Sequence, residues 1–379
     1  MISKLPNVGT TIFSVMSALA AEHKALNVGQ GFPSFPIDEA WSELMKKHIH
    51  QGYNQYAPMP GVPILREELA TKIKNTIGVS INPNTEITVT AGATQAIFTA
   101  ITALIHPGDE VVLFAPAYDC YAPAIELCGG VPVWINLHYP NYSVNWDQVQ
   151  SAITDKTKMI IVNHPNNPAG TVFNKDDFDQ LNRIAEANNL FVISDEVYEH
   201  IIFDNHPHLS ALQFPYLREN TIATYSFGKT FHMTGWKLGY AVGSEKLMNE
   251  FRKVHQFNVF SVNTPAQYAV AEYLKDASHY LNIPNFYQEK RNLFLSELKN
   301  PNLEITPASG TYFQLINYSK IDQRSDTEVA IDWTKKYGIT TIPCSVFYPD
   351  KLDEKVLRVC FAKDDETIKQ AAEILNSIQ

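Results

Sequence analysis

The sequence Thr221-Ile-Ala-Thr-Tyr-Ser-Phe-Gly-Lys229 places a lysine just after an apolar run. The run Thr221–Tyr225 predicts a buried strand, so Lys229 falls in the Gly/Thr loop that follows the strand. A lone lysine in such a loop is ordinarily a solvated surface charge, because lysines are mostly exposed. A phosphate-binding Walker loop is a second interpretation, since Gly228-Lys229-Thr230 matches its end. Ala223 stands where that motif requires its first glycine, which argues against it.

The remaining interpretation of Lys229 is chemical. A lysine amine can form a Schiff base with a carbonyl cofactor if it is partly desolvated or lies near other cations, because it must first lose its proton. Lys237, eight positions along in the same loop region, supplies a neighbouring positive charge. We therefore interpret Lys229 as a candidate nucleophile.

Outward from this stretch, apolar runs alternate with amphipathic helices from Glu86 onward. The predicted strands are Glu86–Thr90, Glu110–Phe114, Met159–Val162, Leu190–Ile193, Thr221–Tyr225 and Gly239–Gly243, and a helix is predicted over Gln95–Ile105. This alternation predicts an α/β fold, with a mostly parallel sheet and helices on both of its faces.

The pattern changes at about Ser278, which predicts a second, smaller α+β domain. Its predicted elements are a helix over Phe286–Leu298, a strand over Gly310–Ile316, a helix over Thr327–Tyr337, a strand over Leu357–Phe361 and a closing helix. A chain of 379 residues exceeds the size at which one hydrophobic core stops growing. We therefore predict an N-terminal arm with part of the small domain (residues 1–45), a large domain (46–277) and a small C-terminal domain (278–379).

Composition excludes several classes of function. The formal net charge of −10 and the lack of a basic run argue against a nucleic-acid partner. The four cysteines form no C-x-x-C pair, so we expect free thiols, no zinc site and a cytoplasmic protein. No apolar run reaches the roughly 20 residues that cross a bilayer. Near the N-terminus, Ile12, Met16, Leu19 and Ala20 follow helical spacing, which favours an amphipathic helix after an extended arm over a signal peptide.

Unusual residues follow five of the predicted strands. They are Ala91–Thr94, Ala117-Tyr118, Asn163–Pro168, Asp195–Tyr198 and Ser226–Lys229. Gly, Pro, Asn and Asp commonly end strands, so any one of these loops is unremarkable in isolation. In open α/β sheets, however, ligands bind outside the carboxyl ends of the strands, so the five loops together predict one binding crevice.

Asp195 is a carboxylate directly after an apolar run, where a charge is costly unless a cation meets it. It either caps the next helix or pairs with a protonated pyridine nitrogen. If a helical turn starts here, Tyr198 faces the same side and can hydrogen-bond a phenolic oxygen on such a ring, and Asn167 can do so from the other side.

An anion site is predicted beside these residues. The side chain of Thr94 and the backbone N–H groups of Ala93 and Thr94 open a helix, and helix N-termini bind phosphate. Ser226 and Lys237 add a hydroxyl and a cation from the neighbouring loop. Tyr118 offers a flat face on which a ring can stack, although a lone aromatic is more often packing.

Several motifs together resemble a known family over nearly the whole chain. They are Tyr56–Glu67, Asn163–Gly170, Asp195–Tyr198, and Lys229 with Thr234-Gly-Trp-Lys-Leu-Gly239. They resemble the class I pyridoxal-phosphate aminotransferases of fold type I. Gly29-Gln-Gly-Phe-Pro-Ser-Phe35 and the Gly-Lys-Thr-Phe…Gly-Trp-Lys pattern are most similar to the methionine, kynurenine and glutamine aminotransferase branch.

The resemblance implies a role for each matching residue. Lys229 would be the Schiff-base lysine, Asp195 the partner of the pyridinium, Asn167 and Tyr198 the ligands of the ring oxygen, and Tyr118 the stacking residue. Ala93, Thr94, Ser226 and Lys237 would hold the phosphate of pyridoxal 5'-phosphate, with Tyr56 reaching it from a partner subunit. Arg358 would bind the substrate α-carboxylate, assisted by the backbone of Gly31, and Asn167 would also face the substrate. The role of Tyr56 implies a homodimer that shares its active sites. Lys237 departs from many relatives, which have arginine there.

The activity implied is ping-pong amino-group transfer from an amino acid to a 2-oxo acid. The other arginines mostly fall in helix-like stretches, so we expect neutral substrates, with Phe13, Phe32 and Tyr56 as an apolar pocket. A C–S β-lyase that acts on cysteine conjugates would use the same residues and stays open as the alternative. A regulatory module fused to a DNA-binding domain is disfavoured by the charge and by the lack of room for such a domain before Gly29.

Overall fold

A computed structural model describes residues 2–6 and 8–379. The strands are β1 (Leu26–Asn27), β2 (Ile87–Thr90), β3 (Glu110–Ala115), β4 (Val131–Asn136), β5 (Thr157–Asn163), β6 (Phe191–Asp195), β7 (Thr221–Ser226), β8 (Gly239–Gly243), β9 (Phe313–Asn317), β10 (Ile339–Thr340), β11 (Ile342–Pro343) and β12 (Val356–Cys360). The helices are α1 (Ile12–His23), α2 (Glu39–His50), α3 (Pro63–Ile77), α4 (Ala93–Leu104), α5 (Tyr121–Leu127), α6 (Trp146–Ala152), α7 (Lys175–Asn188), α8 (Pro215–Asn220), α9 (Phe227–Thr230), α10 (Glu245–Asn258), α11 (Thr264–Tyr273), α12 (Ser278–Leu281), α13 (Ile283–Glu297), α14 (Asp326–Lys336) and α15 (Asp365–Ser377).

A seven-stranded sheet forms the centre, in the order β2-β8-β7-β6-β5-β3-β4. Its neighbours pair in parallel except β8, which runs antiparallel to both β2 and β7. The mostly parallel α/β sheet predicted from the sequence is thus confirmed. Gly239 starts β8 close to its neighbours: a Cβ there would lie 2.4 Å from the Tyr225 carbonyl oxygen and 3.1 Å from the Ala93 nitrogen. The absence of a side chain lets β8 pack against β7 and the start of α4.

No strand is predicted from the sequence in the region of β4. This strand lies at the edge of the sheet and pairs only with β3 among the strands of the described chain. Pro132 interrupts its apolar run, and proline is confined to edge strands because it has no N–H to donate. Because β4 is only partly buried and contains a proline, its sequence has no continuous apolar run by which a strand would be predicted.

A second, antiparallel sheet has the order β11-β12-β9 and lies in the C-terminal part of the chain. The N-terminal segment reaches this part, because β1 pairs in parallel with β10. The predicted N-terminal helix is present as α1, which buries Met16 and Ala20 and is capped by the Thr11 side chain. The N-terminal residues that precede the seven-stranded sheet therefore contact the C-terminal part of the chain.

The predicted division at residue 45/46 falls inside α2. This helix packs on α11 of the large part, and Glu272 there forms an ion pair with Lys47 at 2.7 Å and a hydrogen bond with His48 at 3.1 Å. We propose that the domain boundary lies before α2, near Asp38, and that the second boundary at 277/278 lies between α11 and α12. Within the described residues, no helix is both long and apolar enough to cross a membrane.

Candidate active site

Three strand ends bring the candidate residues together. Asn163, Asp195 and Ser226 are the last residues of β5, β6 and β7. Asn163 and Asp195 are opposite each other in the sheet register, and the Asn163 amide donates to the Asp195 backbone carbonyl at 2.9 Å. The carboxyl edge of the sheet therefore carries the side chains that the sequence analysis singled out.

A cleft of about 700 Å³, including its part open to solvent, lies at this edge. Its lining includes Ala93, Thr94, Tyr118, Asn167, Asp195, Tyr198, Ser226, Lys229 and Lys237. Of the residues predicted to bind the cofactor, Tyr56 is the one that does not line it. The structure thus assembles the set, while the role of each residue stays a prediction.

Lys229 is half-buried, and its amine lies between two oxygen acceptors. It donates to the Tyr312 hydroxyl at 3.1 Å and to the Gly31 carbonyl at 3.4 Å. Burial lowers the pKa of Lys229 to about 8. Of the two causes expected from the sequence, desolvation lowers the pKa of Lys229 more than the positive charge of Lys237 does. The amine therefore loses its proton far more readily than an exposed lysine.

Asp195 is a buried carboxylate without a cationic ion-pair partner among the described residues. The Tyr121 hydroxyl donates to it at 2.5 Å, and the Val197 backbone N–H donates at 3.4 Å. Burial raises the pKa of Asp195 to about 6, although the hydrogen bond from Tyr121 opposes this. A buried carboxylate in this state is well prepared to bind a cation.

The opposite side of the cleft is an anion-binding arrangement. Helix α4 begins at Ala93, two residues earlier than predicted, and Gly92 caps it with a φ of +80°. Lys237 is close by, with its Nζ 3.7 Å from where a Cβ of Gly92 would stand. A helix N-terminus with a lysine amine and the hydroxyls of Thr94 and Ser226 suits a phosphate.

Two aromatic residues lie over the cleft. Burial raises the pKa of Tyr118 to about 12, so its hydroxyl stays protonated at neutral pH. Tyr198 is buried, and its ring meets that of Tyr312 edge to face at 5.3 Å. The helical turn expected to carry Tyr198 is absent: residues 197–200 form hydrogen-bonded turns, which nevertheless direct Tyr198 into the cleft.

Arg358 is buried on β12 and contacts the cleft through Asn167. It donates to the Asn167 side-chain oxygen at 2.8 Å and to the Gly29 carbonyl at 3.0 Å. The Phe313 ring lies 3.9 Å from the guanidinium carbon. Two of its five N–H groups are thus occupied, and its Nε has no partner among the described residues. Burial lowers the pKa of Arg358. No carboxylate of the described chain forms an ion pair with Arg358, so the guanidinium is prepared to bind an anion.

The three aromatic residues predicted to form a substrate pocket do not lie together. The Phe13 ring is 5.2 Å from the Arg358 guanidinium carbon and lines a second hollow that continues from the cleft past Tyr118. Phe32 is 48% exposed, with the Lys363 amine over its ring. Tyr56 is 82% exposed on the outer surface and packs against Phe260. Within one chain, only Phe13 of the three adjoins the site.

The profile of the family described as Aminotransferase class I and II matches residues 23–375. The chain belongs to this family. It is 47% identical over 377 residues to a methionine aminotransferase of Escherichia coli (strain K12), which covers 99% of this chain and 98% of the relative. It is 35% identical to a kynurenine–oxoglutarate transaminase of Dictyostelium discoideum, over 96% of this chain and 93% of the relative.

A solved structure agrees with these sequence relatives. An Escherichia coli structure assigned a methionine aminotransferase function superposes with a TM-score of 0.97 at 47% identity and covers 99% of both chains. The predicted fold type I architecture and the predicted aminotransferase activity are therefore confirmed. As a class I and II aminotransferase, this chain acts on amino acids and 2-oxo acids.

Sequence reasoning missed two residues of this aminotransferase site. Tyr121 begins α5, whereas Tyr118 lies before this helix, so helical spacing does not relate the two residues. Tyr312 precedes β9, more than eighty positions from Lys229, and its hydroxyl reaches the lysine only through the tertiary fold. No local pattern marks such a contact.

Proposed function

We propose that this aminotransferase uses pyridoxal 5'-phosphate to move an amino group from a neutral L-amino acid to a 2-oxo acid. The observation that carries the proposal is that one cleft holds both a half-buried, readily deprotonated lysine and a buried carboxylate that has no cationic ion-pair partner in the described chain. The anion-binding start of α4 completes the set, so the residues present fit the cofactor. When bound, pyridoxal phosphate supplies an aldehyde carbon for the amino group and a cationic ring that accepts electrons from Cα.

The residues of the chain would bind and orient the cofactor and move the proton. Asp195 would keep the ring nitrogen protonated, because a buried carboxylate stabilises a cation beside it. Tyr118 would stack on the ring, and Asn167 and Tyr198 would hydrogen-bond its oxygen. The N-terminus of α4, Thr94, Ser226 and Lys237 would bind the phosphate. The Lys229 amine would hold the cofactor and would accept the proton from the substrate Cα.

Arg358 would bind the substrate α-carboxylate through its free N–H groups, with the backbone of Gly31 beside it. Its fixed contacts to Asn167 and Gly29 hold the guanidinium plane in place. Phe13 and Phe347, whose rings flank the guanidinium, offer an apolar wall to the substrate side chain. Other arginines are engaged elsewhere: the ion pairs are Arg218 with Glu86, Arg291 with Asp204 and Arg324 with Asp322. Together with the methionine and kynurenine relatives, this favours neutral donors.

We also propose that the enzyme is a cytoplasmic homodimer. Tyr56 and Phe257 are 82% and 85% exposed, and Phe260 beside Tyr56 is half-exposed. Large apolar side chains grouped on a surface mark an interaction site. A second copy of the chain covering this surface would bring Tyr56 toward the partner's phosphate site. The four cysteines are free in the structure, in keeping with a reducing compartment.

A visible absorption spectrum of the purified protein tests the proposal. We expect a yellow protein that bleaches when methionine, phenylalanine, kynurenine or glutamine is added, and much less with aspartate. The variant Lys229→Ala should remain folded and lose turnover, whereas Lys253→Ala, which removes a surface amine, should behave as wild type. Full activity in Lys229→Ala would overturn the mechanism. Release of pyruvate and ammonia from a cysteine conjugate without an acceptor would instead identify a β-lyase.

A further inference from the structure

Tyr312 lies fully buried between three parts of the chain at the Lys229 amine. Its hydroxyl donates to the Gly31 carbonyl at 2.7 Å and accepts from Lys229 at 3.1 Å. Gly31 belongs to the N-terminal segment, Lys229 follows β7, and Tyr312 precedes β9. The position of the Lys229 amine is therefore determined by two segments that are distant from it in sequence.

The hydrogen bonds of the Lys229 amine determine which part of it stays free. A neutral amine has two N–H donors and one lone pair. The Gly31 carbonyl can only accept, and the Tyr312 hydroxyl has already given its single proton to that carbonyl. Both acceptors thus take N–H groups of Lys229, and the lone pair is left for the cleft side of the amine.

We propose that Tyr312 is a positioning residue for proton transfer: its hydroxyl holds the released Lys229 amine with the lone pair toward the substrate Cα. The inference rests on the proposed function of Lys229. In the step concerned, the nitrogen lone pair forms an N–H bond with the Cα proton, while the electron pair of the broken C–H bond stays with the substrate. Correct alignment of the base governs the rate of such a transfer.

The backbone before Tyr312 supports a functional reason for this placement. Thr311 has a φ of +63° and is fully buried. A β-branched residue in the left-handed region is an outlier that costs free energy, and such outliers concentrate at functional sites. Its hydroxyl accepts from the Phe313 N–H at 3.2 Å, which helps to hold this conformation at the start of β9.

Tyr287 provides a matched control. It is a buried tyrosine whose ring lies 5.7 Å from that of Tyr312, yet its hydroxyl has no partner within the described chain. Tyr287→Phe and Tyr312→Phe each remove one oxygen atom from neighbouring buried rings. Only the second removes a contact to Lys229.

The first measurement uses stopped-flow absorbance to monitor the half-reaction of the holoenzyme with methionine. The substrate is either Cα-protiated or Cα-deuterated. We expect Tyr312→Phe to slow the limiting rate by about tenfold to a hundredfold and to raise the deuterium isotope effect, with little change in the apparent Kd for methionine. Tyr287→Phe should change neither quantity. A merely structural role would alter stability or Kd and leave the isotope effect at the wild-type value.

The second measurement needs no cofactor. The rate of reductive methylation of Lys229 in the cofactor-free protein is followed against pH by mass spectrometry of its peptide. An oxygen acceptor stabilises an ammonium more than an amine, so the midpoint in Tyr312→Phe should shift to lower pH than in wild type. A midpoint and an isotope effect both unchanged in Tyr312→Phe would overturn the proposal.

The two proposals fail separately. If wild type gives no half-reaction with any amino acid, the proposed function is wrong, whereas a normal wild type with an unaffected Tyr312→Phe refutes only the positioning role. If Tyr312→Phe does not fold, 3-fluorotyrosine at position 312 retains the ring and the hydroxyl with a weaker acceptor oxygen. It should produce the same two changes to a smaller extent, and their absence would equally overturn the proposal.

Discussion

At the scale of single residues, Asp195 shows how a group of the active site lowers the folding stability of the protein. Its pKa of about 6, against an ordinary value of 3.8, means that the native state binds more protons than the unfolded state between about pH 4 and 6. The contribution of Asp195 to stability is therefore lost as the pH rises through this window. Above pH 6 a buried charge stays without a cation until a ligand supplies one.

We predict that Asp195→Asn stabilises the cofactor-free protein at pH 8, by about 3 kcal/mol on the basis of a two-unit pKa shift, and has little effect at pH 4. The same change should lower turnover of the loaded enzyme, since the ring nitrogen loses its anionic partner. Urea unfolding of the cofactor-free protein at both pH values measures the difference. Asp155→Asn, at an exposed position, is the control, and an equal effect of Asp195→Asn at both pH values would contradict the argument.

The residues of the site differ in how far the sequence could identify them. Asp195 ends β6, and Asn167 and Lys229 lie shortly after the ends of β5 and β7, so the rule that ligands bind at carboxyl strand ends is enough to group them. Tyr312 and Gly29 reach the site by contacts across the fold, to Lys229 and to Arg358. Such contacts depend on how the two sheets are placed relative to each other, and no local pattern records that.

At the scale of elements, the turn after β6 is held by two buried glutamates that flank Tyr198. Glu196 accepts hydrogen bonds from Ser194 at 2.8 Å and from Tyr225 at 2.9 Å. Glu199 forms a fully buried ion pair with Lys72 of α3 at 2.8 Å. These contacts replace the helical geometry that the sequence analysis expected, and they fix the direction in which Tyr198 points.

We predict that Lys72→Met destabilises the protein by about 3–5 kcal/mol, because it leaves the Glu199 carboxylate buried without its counter-charge. The double variant Lys72→Met/Glu199→Leu should recover part of this loss, since the uncompensated charge is gone. Lys253→Met breaks an exposed pair with Glu250 and should cost less than about 1 kcal/mol. Equilibrium urea unfolding compares the three, and a double variant less stable than the single one would refute the charge argument.

Elements were predictable where burial gives a continuous apolar run, as in β5 and β7, and unpredictable where it does not. The edge strand β4 contains Pro132 and buries only part of its surface. The division predicted at residue 45/46 falls inside α2, and the ion pair of this helix with Glu272 on α11 joins residues far apart in sequence. Edge position and helix docking are properties of the assembled fold.

At the scale of the whole molecule, the proposed dimer makes the site incomplete in one chain. The structure brings together the other predicted cofactor-binding residues but leaves Tyr56 exposed on the outer surface, beside Phe260. If Tyr56 serves the partner's site, then changes at Tyr56 and Lys229 damage two different sites when one chain carries both, and a single shared site when each chain carries one of them.

A hybrid dimer tests this directly. One subunit carries Lys229→Ala and the other carries Tyr56→Ala, each with its own affinity tag, and the doubly tagged species is purified. The subunit that retains Lys229 then receives an intact Tyr56 from its partner, so we expect one competent site of two, or about half of the wild-type turnover per dimer. If Tyr56 acted within its own chain, neither site would be complete, and the hybrid would be no more active than the Tyr56→Ala dimer. A wild-type protein that sediments as a monomer at working concentrations would refute the homodimer itself, because no hybrid could then form.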